Sequence, residues 1–469
     1  MDVDNILRSL GNYGRYQVLQ FAYNLFCLPI LTYPVVIYVF VGYIPDFKCK
    51  FSDKHVTNYY ADINTSYNVT IHSRQCDVIF ETNRSGVLTQ ETIPCRDGYD
   101  FFGQETTASE WNLVCGAEGL GSMSTTMLVI GQMIGAALFP ALADKYGRLL
   151  IFYTNFIAMA LCYVLAAFVP WFSAFVILRL LMGAFGQGAG MSLSTLGLEI
   201  FPAESRGFTV SVGSVAWSLS ITSISLVAYL LRNVSWRYTM LAAGIIGSHS
   251  LASRWYSLRW LVANGKYEEA KQWIKQAAKW NKIDPSTIID EFDSELQRSE
   301  LQVLVDVSEP DTNCEQTGKR RKEKLSILDI FRHKHILVTS VIVWIIWFVN
   351  SITYYGLFLI SGTMSGNMYL NFFLNGMVEL PGIFLYLFTI NRYGRKKTCV
   401  MFHAIAGISL SMTAVLNFTA GTPALKGFAS ALSFAGKFGI SGSFMTIFLY
   451  TPEIYPTNLR YEIFPICKF

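Results

Sequence analysis

Stretches of about twenty apolar residues recur along this chain, and that length is what a helix needs to cross the hydrocarbon core of a bilayer. Such windows fall at roughly 16–44, 120–142, 149–169, 172–198, 208–231, 237–256, 336–360, 367–390, 398–418 and 422–451. In lipid every backbone amide must be satisfied within the structure, so the windows predict helices rather than open sheet. Composition agrees: 52% of the 469 residues are hydrophobic and 15% are charged, against about a quarter charged in soluble domains. The expected class is an all-α membrane protein. Pro29 and Pro34 should kink the first span, which reads as a membrane anchor rather than a cleaved signal because the start "MDVDNILRSLGNYGRYQ" is polar. The sixth window is the weakest, since "MLAAGII" runs into "GSHSLASRWYS", with His249 and Arg254 where hydrocarbon is expected.

The chain also repeats itself. "EIFPAESRG" from Glu199 returns as "EIYPTNLRY" from Glu453, 254 positions later, and "DKYGRLL" from Asp144 returns as "NRYGRKK" from Asn391, 247 positions later. Two motifs at nearly one offset indicate a duplicated half. The expected organisation is an N-terminal bundle over 1–256, a linker over 257–335 and a C-terminal bundle over 336–469. The linker holds fourteen Lys and Arg, including "GKRRKEK" at 318–324. By the positive-inside rule the linker and both termini face the cytoplasm, and the loop 45–119 faces outward. That loop carries sequons at Asn64, Asn68 and Asn83 and the cysteines Cys49, Cys76, Cys95 and Cys115, as an oxidising face would allow. Four cysteines permit three pairings, all left open by the sequence. Within the linker, "KYEEAKQWIKQAAKWN" places Trp273, Ala277 and Trp280 at helical spacing, predicting an amphipathic helix against the cytoplasmic ends of the bundle. Residues 300–324 are polar and expected to be flexible.

Ionisable residues deep in a span cost about 2.5–3.5 kcal/mol each at a helix centre, so each needs a reason. Three stand out: Arg179, opening "RLLMGAFGQGAG"; Glu379, in "VELPG"; and Lys437, in "GKFGIS". The glycines after Arg179 permit close helix packing. Glu379 reads either as a counter-charge for a cationic ligand or as the partner of Lys437, tying spans eight and ten together. A pair that opens when substrate arrives would satisfy both readings. Trp347, Asn350 and Tyr354 share one face of span seven. Aromatic faces attract ammonium groups by about 0.5–2 kcal/mol, although aromatic stripes in membrane helices commonly serve packing alone. No Walker loop, HExxH, nucleophile elbow or metal-ligand spacing is present, so neither an enzyme nor a bound cofactor or metal is expected. A net charge of +4 is too small to argue for nucleic acid.

Taken in order, several strings resemble the major facilitator superfamily and, within it, the organic cation, anion and zwitterion transporters. They are "LGNYGRYQ" at 10–17, "SEWNLVC" at 109–115, "YYGLFL" at 354–359, "VELPG" at 378–382, "GKFGIS" at 436–441 and "FLYTPEIYPTNLR" at 448–460. The resemblance covers essentially 1–460 and implies two pseudo-symmetric six-helix bundles that rock about a central site. It implies transport of small organic cations or zwitterions at the plasma membrane; no ATP-binding loop is visible, so the expected driving force is the membrane potential or a co-transported ion such as Na+ or H+. It places Trp347, Tyr354, Glu379, Lys437 and Phe444 at the substrate, "ELP" favouring cations or zwitterions over anions. A cytoplasmic gate would use Asp144, Arg148, Glu199 and Arg206 in the first half and Arg395, Glu453 and Arg460 in the second. The Asp144 carboxylate is expected near a helix N-terminus, with Arg148 reaching the next bundle.

The chain departs from the family at Pro140, where the motif has Gly, at Asn391, which replaces an acid, and at Tyr256, which replaces an acid in "YSLRWL". Only "EIFPICKF" follows "EIYPTNLRY", so the second bundle is expected to lack its eleventh and twelfth helices. Two further readings follow: a shortened, non-transporting isoform that modulates a full-length carrier, and a sugar-type facilitator of the same superfamily.

Overall fold

A computed structural model of the chain describes residues 3–50, 69–73, 75–84, 87–95, 98–248, 258–308, 334–362, 364, 366–419 and 422–454. Among them, nine helical segments are long and apolar enough to cross a membrane. A short helix α1 (Val3–Ser9) precedes the first span, which is three pieces rather than one: α2 (Arg15–Phe26), α3 (Leu28–Val36) and α4 (Tyr38–Val41). The breaks follow the prolines. Pro29 sits in the first turn of α3, where its missing N–H costs nothing, whereas Pro34 inside α3 removes a ladder bond just before the break at Ile37.

The N-terminal half continues with α5 (Thr107–Glu110), α6 (Glu118–Tyr146), α7 (Arg148–Phe168), α8 (Phe172–Glu199), α9 (Arg206–Leu230) and α10 (Trp236–Ser248). α6 and α8 lie backbone against backbone: a Cβ added at Gly131 would fall 1.9 Å from the Leu180 carbonyl oxygen, and one at Gly183 would fall 2.0 Å from that of Leu128. This is the small-residue packing expected in lipid. α10 is thirteen residues long, too short to be one of the nine spans. The rest of the expected window 237–256, with His249, Arg254 and Tyr256, lies outside the described residues.

The linker folds back onto the N-terminus. α11 (Leu258–Ala263), α12 (Tyr267–Asn281) and α13 (Pro285–Ser308) bury one apolar cluster against α1. The amphipathic helix forms as expected, but its buried arc is Ala270, Trp273, Ile274, Ala277 and Ala278. Trp280 is 51% exposed: at 100° per residue it lies about 20° beyond Trp273, already at the edge of that arc. Asn281 explains "LGNYGRYQ". Its amide donates to the Leu10 carbonyl and to Gln17 Oε1, both at 2.9 Å, and accepts from the Tyr16 N–H. A Cβ at Gly14 would fall 2.2 Å from the same side chain.

The C-terminal half is α14 (Lys334–Ile360), α15 (Met368–Met377), α16 (Glu379–Tyr393), α17 (Arg395–Thr419) and α18 (Pro423–Ile454). Among the described residues, the loop after the first span adds five strands that the helical windows do not anticipate. β1 (Asp46–Cys49) pairs antiparallel with β5 (Tyr99–Phe102), while β2 (Val69–Ser73), β3 (Asp77–Arg84) and β4 (Val87–Pro94) form a meander. The cysteines pair Cys49–Cys95 and Cys76–Cys115. Asn83 lies on β3, and Asn64 and Asn68 are outside the described residues. At the foot of the loop Thr106 caps α5, Trp111 packs on Phe172, Phe175 and Trp236, and Glu110 pairs with Arg237.

The halves meet at the loop end. Phe40 stacks on Tyr369 and meets Phe372 edge-on, Tyr229 meets Tyr369 edge-on, and a Cβ at Gly376 would fall 2.1 Å from Thr222 Oγ1.

Candidate functional site

Span eight bends where its carboxylate lies. Pro381 has no N–H for the Met377 carbonyl, so the helix breaks at Val378 and restarts with Glu379 in its first turn. A carboxylate is favoured at a helix start by the unpaired N–H groups there. Glu379 is 3% exposed and Lys437 0%, and the ammonium lies 3.0 Å from Glu379 Oε1. The contact is an ion pair without hydrogen-bond alignment, because Oε1 accepts no hydrogen bond. Oε2 accepts one from Ser218 Oγ at 2.6 Å. Ser218 belongs to α9, so a side chain of the first half holds the buried acid of the second.

Aromatic rings surround the cation of this pair. Lys437 Nζ lies 3.2 Å from the Tyr354 ring centroid and 3.7 Å from that of Phe358, and donates to the Tyr354 carbonyl at 3.4 Å. Tyr354, Tyr355 and Glu379 are close enough to interact electrostatically, and Trp217 approaches the Tyr354 hydroxyl. Phe444 bridges to the next layer, 5.1 Å from Tyr354 and 5.6 Å from Trp347 between ring centroids. Trp347 is packed rather than open: it is 2% exposed, its indole N–H donates to Thr451 Oγ1 at 3.0 Å, and Phe448 lies against it.

Trp347, Asn350 and Tyr354 do share a buried face of α14. Asn350 turns aside to the Ile346 carbonyl and His403, and Asn375, one turn from Glu379 in sequence, donates instead to the Leu357 carbonyl at 2.8 Å. Ser218 and Phe358 escape a reading based on intramembrane charge. Ser218 could have been found from the hydroxyls at 211, 214, 218, 222 and 225, which mark one polar face of span five.

The repeated motifs form matching ion pairs at the linker end. Arg148, first residue of α7, pairs with Glu199 at the end of α8 and lies 3.6 Å from Asp144. Arg395, first residue of α17, holds Glu453 at the end of α18 through bonds of 3.0 to 3.3 Å. Both differ from expectation in one respect: each pair closes within its own half, not onto the next bundle. Asp144 is likewise not near a helix N-terminus; it lies in the last turn of α6, where exposed carbonyls disfavour a carboxylate and Arg148 offsets them. Arg206 opens α9, and Arg460 lies outside the described residues. Arg179 stands apart from all of these, fully buried and donating to the Pro34 carbonyl at 2.6 Å. The described residues contain no cluster of three or more metal-ligating side chains.

The Major Facilitator Superfamily model matches residues 110–463. The rat protein "Solute carrier family 22 member 3" is 30% identical over 97% of this chain and 83% of its own length. The Drosophila melanogaster "Organic cation transporter protein" is 28% identical over 98% and 83% respectively, and the rat "Solute carrier family 22 member 7" is 28% identical over 98% and 86%. Among solved structures, the inward open xylose transporter from E. coli superposes with a TM-score of 0.61 at 17% identity, covering 97% of this chain and 87% of that one. Its partially occluded inward open form gives 0.60 at 16%, covering 97% and 90%.

Proposed function

The chain belongs to the Major Facilitator Superfamily, in its organic cation and anion transporter branch, and from that premise we propose that this membrane transport protein carries small organic cations or zwitterions by alternating access. One observation carries the reading: a buried carboxylate, Glu379, is held at once by Lys437 of its own half and Ser218 of the other. A substrate ammonium displacing Lys437 would keep the acid neutralised, and the Tyr354 and Phe358 faces that now hold the lysine would receive the incoming cation. A zwitterion suits the same place, its ammonium on Glu379 and its carboxylate on Lys437, so that no charge is left bare.

The bond across the halves supplies coupling. Loading that shifts Glu379 changes its hold on Ser218, and with it the relative stability of the two bundle orientations. The aromatic contacts among Phe40, Tyr229, Tyr369 and Phe372 close the loop end. At the linker end, no ion pair among the described residues joins one half to the other. This arrangement supports a site facing the linker side, with the linker cytoplasmic and the disulfide-bonded loop outside. Arg148–Glu199 and Arg395–Glu453 would then be gate pairs in their released state, each turned inward on its own half.

The test is uptake of radiolabelled tetraethylammonium into proteoliposomes holding the protein under an inside-negative potential. Glu379→Gln should lower uptake tenfold or more, on the order expected for removing one member of a buried pair. Uptake that matches empty vesicles, or that survives Glu379→Gln unchanged, would refute the reading; saturable xylose uptake instead would favour a sugar facilitator.

A further inference from the structure

We propose that the N-terminal half contains a buried site for one small monovalent anion, built around Arg179. Its guanidinium is wholly enclosed and makes one hydrogen bond, from Nη1 to the Pro34 carbonyl. Nε and Nη2 are buried without partners. The four hydroxyls of Tyr38, Thr107, Ser124 and Tyr163 are also buried and make no well-aligned hydrogen bond, although that of Tyr38 lies within reach of Thr107 and Ser124. These groups are neighbours: Tyr38 faces Thr107, Ser124 and Arg179, and Tyr163 faces Arg179. The Arg179 guanidinium lies 5.9 Å from the Tyr38 ring centroid.

Two features make this a site for an anion. All of its free groups can donate: the Arg179 N–H groups only donate, and each hydroxyl can turn its proton toward an anion. The set also lacks a negative charge. The electrostatic neighbours of Arg179 are the two phenols, and among the described residues no carboxylate pairs with it. A buried cation left alone is strongly disfavoured. Water could satisfy the donors but not the charge, whereas a halide does both. The surroundings suit such an ion, because the groups come from five helices, α4 to α8, with little slack: a Cβ at Gly121 of α6 would already lie 3.0 Å from the Tyr38 hydroxyl.

The test uses the full chain in detergent, with its thermal unfolding midpoint followed as sodium chloride replaces sodium gluconate at constant ionic strength. Chloride should raise the midpoint saturably, by about 2–4 °C, and gluconate, too large for the enclosure, should not. Arg179→Gln should abolish the rise. Should that variant fail to fold, Tyr38→Phe with Tyr163→Phe decides: it keeps the cation, removes two donors, and should raise the half-saturating chloride concentration about five- to tenfold. Equal midpoints in chloride and gluconate, a rise that persists in Arg179→Gln, or an unchanged half-saturating concentration in the double variant would each overturn the site. None of these readouts depends on transport, so the outcome is separate from that of the cation-carrier reading.

Discussion

Among the described residues each half of this protein buries one cation in its fourth span, Arg179 on α8 and Lys437 on α18, and the two are treated differently. Lys437 has a carboxylate at 3.0 Å and two aromatic faces within 4 Å. Arg179 has a carbonyl, two phenols and no acid. The contrast shows that a duplicated scaffold need not duplicate its electrostatics. The second half compensates its charge internally, in a pair that a charged substrate can exchange into. The first half leaves compensation to something outside its own side chains.

The largest effect should come from breaking the compensated charge. Glu379→Gln strands Lys437 without its counter-ion and should cost about 3–5 kcal/mol of stability. Adding Lys437→Met should recover most of that loss while leaving uptake low, and thermal unfolding beside tetraethylammonium uptake distinguishes the two effects. Equal stability of the single and double variants would mean that the pair is not what holds spans eight and ten. Arg179→Met, measured in gluconate, should cost less than half as much, since it strands no carboxylate.

A smaller contrast lies in the repeated turns. Gly147 and Gly394 both have positive φ, at 99° and 79°, where a side chain costs about 1–3 kcal/mol. An added Cβ at Gly147 would also lie 2.8 Å from the Trp260 ring, whereas at Gly394 it would meet nothing within 4 Å. Gly147→Ala should therefore lower the unfolding midpoint more than Gly394→Ala, and the reverse order would show that Trp260 does not seat on this turn. The smallest effect belongs to the end pairs. Arg395→Ala removes a pair whose side chains are both about 40% exposed and should change stability by less than about 1 kcal/mol. Arg148→Ala leaves Glu199, only 14% exposed, without its arginine and should cost more in the same measurement.

These pairs also show what could be read in advance. The repeats at Asp144/Asn391 and Glu199/Glu453 marked Arg148, Glu199, Arg395 and Glu453 as gate residues of the two halves, because a duplicated motif returns the same charged groups; that they pair as Arg148–Glu199 and Arg395–Glu453 is seen only in the structure. The direction of each pair was not legible, since whether an arginine reaches within its half or across depends on how the bundles are tilted. Glu379 and Lys437 were legible as costly residues in apolar helices; Ser218 was legible only as one member of the hydroxyl face of span five, with no charge to distinguish it from its neighbours. Trp280 looked equivalent to Trp273 by spacing alone, and the width of the surface beneath α12 separated them. The strands of the loop were missed because hydropathy windows tuned to bilayer thickness see only what crosses it.

The sequence by itself determined the helical, membrane-spanning class, the two-fold repeat and the identity of the three buried ionisable residues, because hydrophobic length and intramembrane charge are properties of local stretches. Tertiary structure alone decided the disulfide pairing, the bond from Ser218 to Glu379 and the isolation of Arg179. Those depend on which faces of distant helices meet, and the backbone-to-backbone packing that sets those faces is a property of the assembled bundle rather than of any one segment.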